Sequence, residues 1–408
     1  VKTGAGTLTL NSANSYTGDT QITGGTLAID ANDKLGTGTK VTISDATLAL
    51  TDTVALNRTL DVTGIATVDT ATGSNSSLDK TVNGSGQLVK TGAGTLELTQ
   101  ANSYTGGTAI KAGEIVLGAN AALGTGAATF ATDTELSFSQ GLSVANAVQV
   151  DGKVQVHSGN FDSELNGVVS GVGSLVKDGT GQLSLTQANT YSGGTQVDAG
   201  TVAVDANTAL GLGAASFAKD TTLSLGIKNG VSVANAIKME GVITQSNNFD
   251  SSLTGVISGT GSLVKEGTGL LSLTGANSYS GGTQVAAGKV ALDANTALGA
   301  GSATFAKDTE LSLGVTKGLS VANAIEVDGE VDVHSGKFDS SLTGIISGAG
   351  SLVKDGTGQL SLTQDNTYSG GTQVAAGKVA LDANTALGLG AATFAKDTEL
   401  NLGISKGV

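Results

Sequence analysis

A block of the form Lys-x-Gly-x-Gly, followed by Asn-x-Tyr-x-Gly-Gly-Thr or a close variant, is written five times in this chain. It starts at Lys2, Lys90, Lys177, Lys265 and Lys354, at intervals of 88, 87, 88 and 89 residues. Self-similarity at a fixed period is the mark of a stacked architecture, in which each unit buries its apolar face against its neighbours. The chain therefore reads as one continuous elongated body of 408 residues. The units are approximately 1–87, 88–174, 175–262, 263–351 and a partial 352–408. Because it opens and closes inside a unit, the reading is of a piece of a longer protein.

Composition narrows the kind of stack. Gly makes up 62 of the 408 residues, roughly twice the usual ~7 %. Pro is absent, which suits long hydrogen-bonded ladders because Pro removes a ladder donor. With no Trp, eight Phe and five Tyr, the interior must be thin and made of Val, Leu, Ile and Ala.

A weaker rhythm runs inside each unit. Apolar pairs fall at Leu96/Leu98, Ile115/Leu117, Leu136/Phe138, Val154/Val156 and Leu183/Leu185, in steps of 19, 21, 18 and 29 residues. Many follow a Gly or Asp corner, as in Ala112-Gly113-Glu114-Ile115 and Asp133-Thr134-Glu135-Leu136. An apolar-x-apolar pair after a turn is a short strand with alternate side chains inward. Such strands every ~20 residues predict an all-β parallel β-helix, or solenoid, with roughly four coils per long unit. The long fourth step is expected to hold an extra loop around His157 to Gly173. At ~4.8 Å per coil the rod would be on the order of 90 Å long, and equivalent residues of successive units would sit about 19 Å apart. An array of immunoglobulin-like sandwiches also fits the period. The missing bulky core, the missing linkers and the very short strands count against it.

The corner residues have assignable roles. In the second unit they are Lys90, Gly92, Gly94, Asn102, Tyr104, Gly106 and Gly107; in the third, Lys177, Gly179, Gly181, Asn189, Tyr191, Gly193 and Gly194. Gly is expected to turn the corners through positive φ. Asn is expected to bond its own backbone within a turn or to take a left-handed position, and Tyr to cover the side of the corner. A Phe lies forty residues after the Lys at Phe130, Phe217, Phe305 and Phe394, whereas the first unit has Thr42 there.

Leu88 to Leu96 and Asn102 to Thr108 together resemble the autotransporter-associated β-strand repeat, also called the passenger-associated transport repeat. The same pattern recurs at Leu175 to Thr195, Leu263 to Thr283 and Leu352 to Thr372, and at Val1 to Thr20 with Asp19 replacing the second Gly. The style is similar to AIDA-type adhesins of Gram-negative bacteria. That resemblance implies a right-handed β-helix carried outside the cell on an outer-membrane barrel. It further implies self-association of cells, biofilm formation and attachment to host matrix, with other passenger copies, matrix proteins or glycans as partners. A passive stalk that displays a distal domain and assists secretion is the alternative.

Other functions find little support. Net charge is −14 and Arg58 is the one arginine, a poor basis for binding nucleic acid or an anionic membrane. No apolar run of ~18 residues suggests membrane insertion. His157 and His334 are 177 residues apart, too far to form a metal site or triad, and are expected on surface loops. Repeated aspartates, at Asp205, Asp293 and Asp382 and at Asp162, Asp250 and Asp339, are expected to make turns or caps. No cofactor motif is present. A β-helical polysaccharide-degrading enzyme would need a carboxylate pair, a base and aromatic sugar platforms gathered at one place, and the sequence gathers none.

Overall fold

Strict alternation of apolar and polar residues over three to five positions leaves room for only one side of each strand inside. Leu96 and Leu98 are buried while Thr95 and Glu97 are half-buried, and the same holds strand after strand. A computed structural model describes residues 1–314 and 316–403, so the last five residues of the fifth predicted unit lie outside the described residues. Among the described residues the chain is all-β: 47 strands, one 3-10 turn at Asn32–Leu35 and no α-helix. Neighbouring strands pair in parallel, one coil to the next. This is a parallel β-solenoid.

Two compact units are distinguishable, Val1–Val202 with Ala209–Gly213, and Ala203–Thr208 with the chain from Ala214 onward. In the first, one sheet stacks Leu88 on Thr108, Thr108 on Ala128, Ala128 on Val148 and Val148 on Val169. A second sheet stacks Leu96, Ile115, Leu136, Val156 and Lys177. From Ser143–Val144 onward, each coil adds a strand in a third sheet, giving three strands per coil. In the other unit, Leu263, Thr283, Ala303, Ile325 and Ile346 stack in the same manner.

These registers explain the long fourth step, and they overturn the expected loop at His157 to Gly173. That stretch holds the strands Ser163–Leu165 and Val169–Ser170 in a coil of ordinary length. Leu183 does not stack on Val154. Leu175 does, while Leu183 pairs with Ser163 in the third sheet. Four coils take the chain from Leu88 to Val169, and the next copy of Leu88 is Leu175, six residues further on. Leu263 likewise reaches Ile346 in four coils, and its copy Leu352 is again six residues on. One repeat is therefore four coils plus one side. Lys90 lies in the first sheet and Lys177 in the second.

The divergent first repeat also differs from expectation. Lys2 bridges to Ile22, and Ile22 stacks on Ile43. Ile43, not Thr42, fills the inward place that Phe130 fills above Lys90 and Ile110, because this coil is one residue longer. Its strands Lys40–Leu50 and Thr59–Thr70 run unbroken past a corner, with a register shift between Ser44 and Ala46 where Asp45 takes φ 50°.

Leu271 is fully buried, so Leu271→Ala should lower stability by about 2–5 kcal/mol. Gln284→Ala, on an outward position, should stay within about 0.5 kcal/mol. Urea unfolding of the two variants checks the contrast.

Candidate functional site: the repeated corner and its side-chain rungs

The repeated lysine is an inward residue. Lys177 occupies the column of Leu96, Ile115, Leu136 and Val156, and Lys90, Lys177, Lys265 and Lys354 are each at most 1 % exposed. The aliphatic stem fills the apolar column and the ammonium bends to the corner carbonyls. Lys90 Nζ donates to Thr91 O at 2.9 Å, Gly92 O at 2.8 Å and, one coil on, Ala112 O at 3.0 Å. Lys177 makes the same three bonds to Asp178, Gly179 and Ala199, and Lys354 to Asp355, Gly356 and Ala376. Lys265 bonds the carbonyls of Gly267 and Ala287. Three converging carbonyls replace the water an ammonium would otherwise hold.

The glycines of this block divide into two kinds. Gly92, Gly107, Gly179 and Gly194 take φ between 74° and 84°, as expected for corners. Gly94, Gly106, Gly181 and Gly193 do not. They are Gly because the preceding coil passes too close: a Cβ on Gly181 would stand 2.0 Å from Phe161 O, and one on Gly94 2.1 Å from Ala71 O.

Asn102 and Asn189 correct the expectation of a local turn bond. Asn102 Oδ1 accepts from Val82 N–H at 2.7 Å, and its Nδ2 donates to Ala122 O at 2.6 Å. Asn189 spans Val169 and Ala209 in the same way, Asn277 spans Ile257 and Ala297, and Asn366 spans Ile346 and Ala386. One amide holds three coils together, each partner twenty residues away. A short side chain with one donor and one acceptor side suits that place, because the strand ladder has stopped and bare backbone groups face it.

The tyrosines lie inside rather than beside the corner. Tyr104, Tyr191, Tyr279 and Tyr368 are fully buried. Tyr191 Oη bonds Thr195 Oγ1 at 2.6 Å, and Thr195 Oγ1 donates to Leu210 O at 2.9 Å. Tyr279, Thr283 and Leu298 repeat the relay. Burial pushes the Tyr279 and Tyr368 hydroxyls up to about 12 and raises those of Tyr104 and Tyr191 as well. Each ring packs under a glycine of the next coil, Gly124 over Tyr104 and Gly211 over Tyr191. Sequence reading missed this Leu-Gly element; its signal was the recurrence of Ala-Leu-Gly, its Gly twenty residues after Tyr104, Tyr191, Tyr279 and Tyr368. It also missed Asn146 and Asn323, whose amides tie the glycine pairs Gly124/Gly126 and Gly299/Gly301. Arg58 does that work in the first repeat, donating to Gly36 O at 2.7 Å.

Outside the coil, Asp162, Asp250 and Asp339 each accept a backbone N–H from the next coil, those of Gln182, Leu270 and Gln359. Asp205 and Asp293 do so for Lys228 and Thr316. His157 and His334 end strands rather than sit on loops, each facing a carboxylate of the next coil, Asp178 at 3.5 Å and Asp355 at 3.4 Å. Among the described residues no group of three or more His, Cys, Asp or Glu is placed to hold a metal ion, and no helix is long and apolar enough to cross a membrane.

The thirty-residue stretches that carry this Lys–Asn–Tyr–Thr set match a known family at residues 1–29, 88–117, 175–204, 263–292 and 352–381. They are passenger-associated-transport repeats. The chain is similar to that family over these five stretches. It is also 40 % identical over 119 residues to the adhesin BmaC autotransporter of Brucella suis biovar 1 (strain 1330). That match covers 29 % of this chain and 4 % of the relative, so the chain corresponds to a small part of that protein's length. No solved structure matches. The geometry of the four later copies of the repeat is that of a coil fastener: their Lys, Asn and Thr side chains face inward and bond backbone of adjoining coils, and each Tyr bonds the Thr.

Lys177→Met keeps the apolar stem and removes the donor shared by three carbonyls, so it should destabilise by about 1–3 kcal/mol. Tyr191→Phe should cost about 1 kcal/mol. Both are read from urea midpoints. Burial also draws the Lys90, Lys177, Lys265 and Lys354 ammonium groups down to about 8, against ~10.4 in an unfolded chain. Between those values the unfolded chain binds more protons, so stability should rise with pH from about 8 to about 10.4 and be flat below. Urea midpoints measured across that range, with Lys177→Met giving a shallower rise, check the sign.

Proposed function

We propose that the chain is an adhesive segment of a surface-displayed autotransporter passenger and that it works by many weak lateral contacts. Copies on neighbouring cells pair with one another, and host matrix proteins or glycans are further partners. The observation that carries this reading is the division of labour between inside and outside. The fastening side chains are buried, while each coil leaves Ser, Thr, Gln and Asn facing outward. Gln149, Gln196, Gln284 and Gln373 are exposed at the middle of strands whose flanking residues are buried. One outward hydrogen bond contributes only ~1 kcal/mol net, but rows of them on many tethered copies gain strength from effective concentration. Screening within ~8 Å at physiological salt limits repulsion between two chains of charge −14. Similarity to a named adhesin agrees with this.

The passive stalk keeps one observation in its favour: the repeated motif itself is spent on building coils. Displaying the chain through an outer-membrane barrel on a non-aggregating Gram-negative host separates the two. Adhesion by this segment predicts that cells settle, and that Gln149→Glu, Gln196→Glu, Gln284→Glu and Gln373→Glu together slow settling severalfold without altering display. Dispersed cells, together with a purified chain that stays monomeric at high concentration, would leave the stalk.

A further inference from the structure

Between two near-identical repeats, one outward position changes sign. Lys238 is the central residue of the strand Ile237–Met239, and Glu326 is the central residue of Ile325–Val327. Both are exposed between buried neighbours. Their surroundings match: Lys238 stacks between Ser216 and Ser258, and Glu326 between Thr304 and Ser347. Residues 175–245 and 263–333 align without a gap, and only here does an acidic residue stand in place of a basic one. One repeat earlier the position is the neutral Gln149.

An apolar residue stands beside each charge. Val256 and Ile345 hold equivalent places, their carbonyls accepting the N–H groups of Ile237 and Ile325, and their side chains are 48 % and 52 % exposed. Beside Lys238, the small side chains of Ala214, Ala215 and Ala236 leave a groove of about 300 Å³, closed on its flank by Val256. Lys238 Nζ lies 3.4 Å from Glu240 Oε1, but both side chains are largely exposed, so that pair stabilises little and is readily exchanged. Among the described residues Glu326 has no ion-pair partner. The two charges also look out of different sides. The strand of Lys238 belongs to the sheet of Ala215–Phe217 and Ile257–Ser258, that of Glu326 to the sheet of Ala303–Phe305 and Ile346–Ser347. The advance of one side per repeat separates them.

We infer that these two surfaces dock on each other between copies of the chain: the Lys238 side of one copy takes the Glu326 side of a second, with Ile345 of the second seated in the alanine groove. This rests on the homotypic reading above and names the surfaces that meet. Charge selects the pairing. Two Lys238 sides, or two Glu326 sides, would set like charges opposite each other, which is unfavourable, whereas Lys238 against Glu326 is attractive. The attraction acts at contact, well inside the ~8 Å screening length of physiological salt. Because the two surfaces are different patches of one chain, the contact is heterologous. A copy bound through one side keeps its other side open, so assembly continues instead of closing at a pair. Each contact is small and weak, and repetition over tethered copies supplies the strength.

Sedimentation velocity of the 408-residue chain across a wide concentration range tests this. The mean mass should climb continuously past that of a dimer, and less steeply at high salt. Lys238→Glu and Glu326→Lys, each at an unchanged melting temperature, should separately raise the concentration needed for assembly by roughly tenfold or more. An equimolar mixture of the two single variants should assemble again, since each supplies the charge the other lacks, and the double variant should assemble by itself. Lys153→Glu makes the same change in net charge at another exposed position and should leave assembly unaltered. A mass that stays monomeric or levels off at a dimer overturns the inference, as does a mixture no better than its components. Settling of cells that display the chain isolates that failure: settling unchanged by either charge variant leaves homotypic adhesion standing without this pairing, and dispersed cells remove both.

Discussion

Parallel pairing of the backbone with itself about twenty residues later is the constraint from which the rest of the structure follows. Once the ladder is set, an inward residue must tolerate the residue one coil before and one coil after it. That is why Leu96, Ile115, Leu136 and Val156 form one column. The same step governs the polar groups. Asn102 reaches Val82 and Ala122, Asp250 reaches Leu270, and Lys177 reaches Ala199. Where strands end, side chains continue the ladder by other means.

The buried lysine shows how opposing effects are balanced. Desolvation pulls its ammonium down to about 8, yet an apolar residue at that place would leave a cluster of corner carbonyls unserved. The choice is between a solvated-looking charge held by three oxygens and a dry core with unsatisfied acceptors. A long flexible stem that packs like Leu and ends in three donors answers both demands, whereas Arg, with its rigid fork, would need a wider corner.

Much of the architecture was legible in the chain itself. The Leu-x-Leu pairs, the Gly corners and the lack of Pro suffice for a coil of about twenty residues, because alternation and turn chemistry are local properties. What stayed hidden is what depends on the coil above or below. Lys90 reads as part of a corner and Tyr104 as its cover, and nothing local reveals that carbonyls or a glycine wait one coil away. Asn102 has the same cause. The placement of His157 at a strand end and of Leu183 on the next side needed the register, since a 29-residue step is equally a loop or an added strand.

A repeat that ends one side further round than it began makes chain length and azimuth inseparable. Gain or loss of a single repeat by recombination would leave the stack intact, since the six extra residues carry the ladder onward, but everything beyond the event would look out in a new direction. With three strands per coil, changes in multiples of three would restore the original bearing. Copy number would then set the bearing of a given face as well as the number of coils.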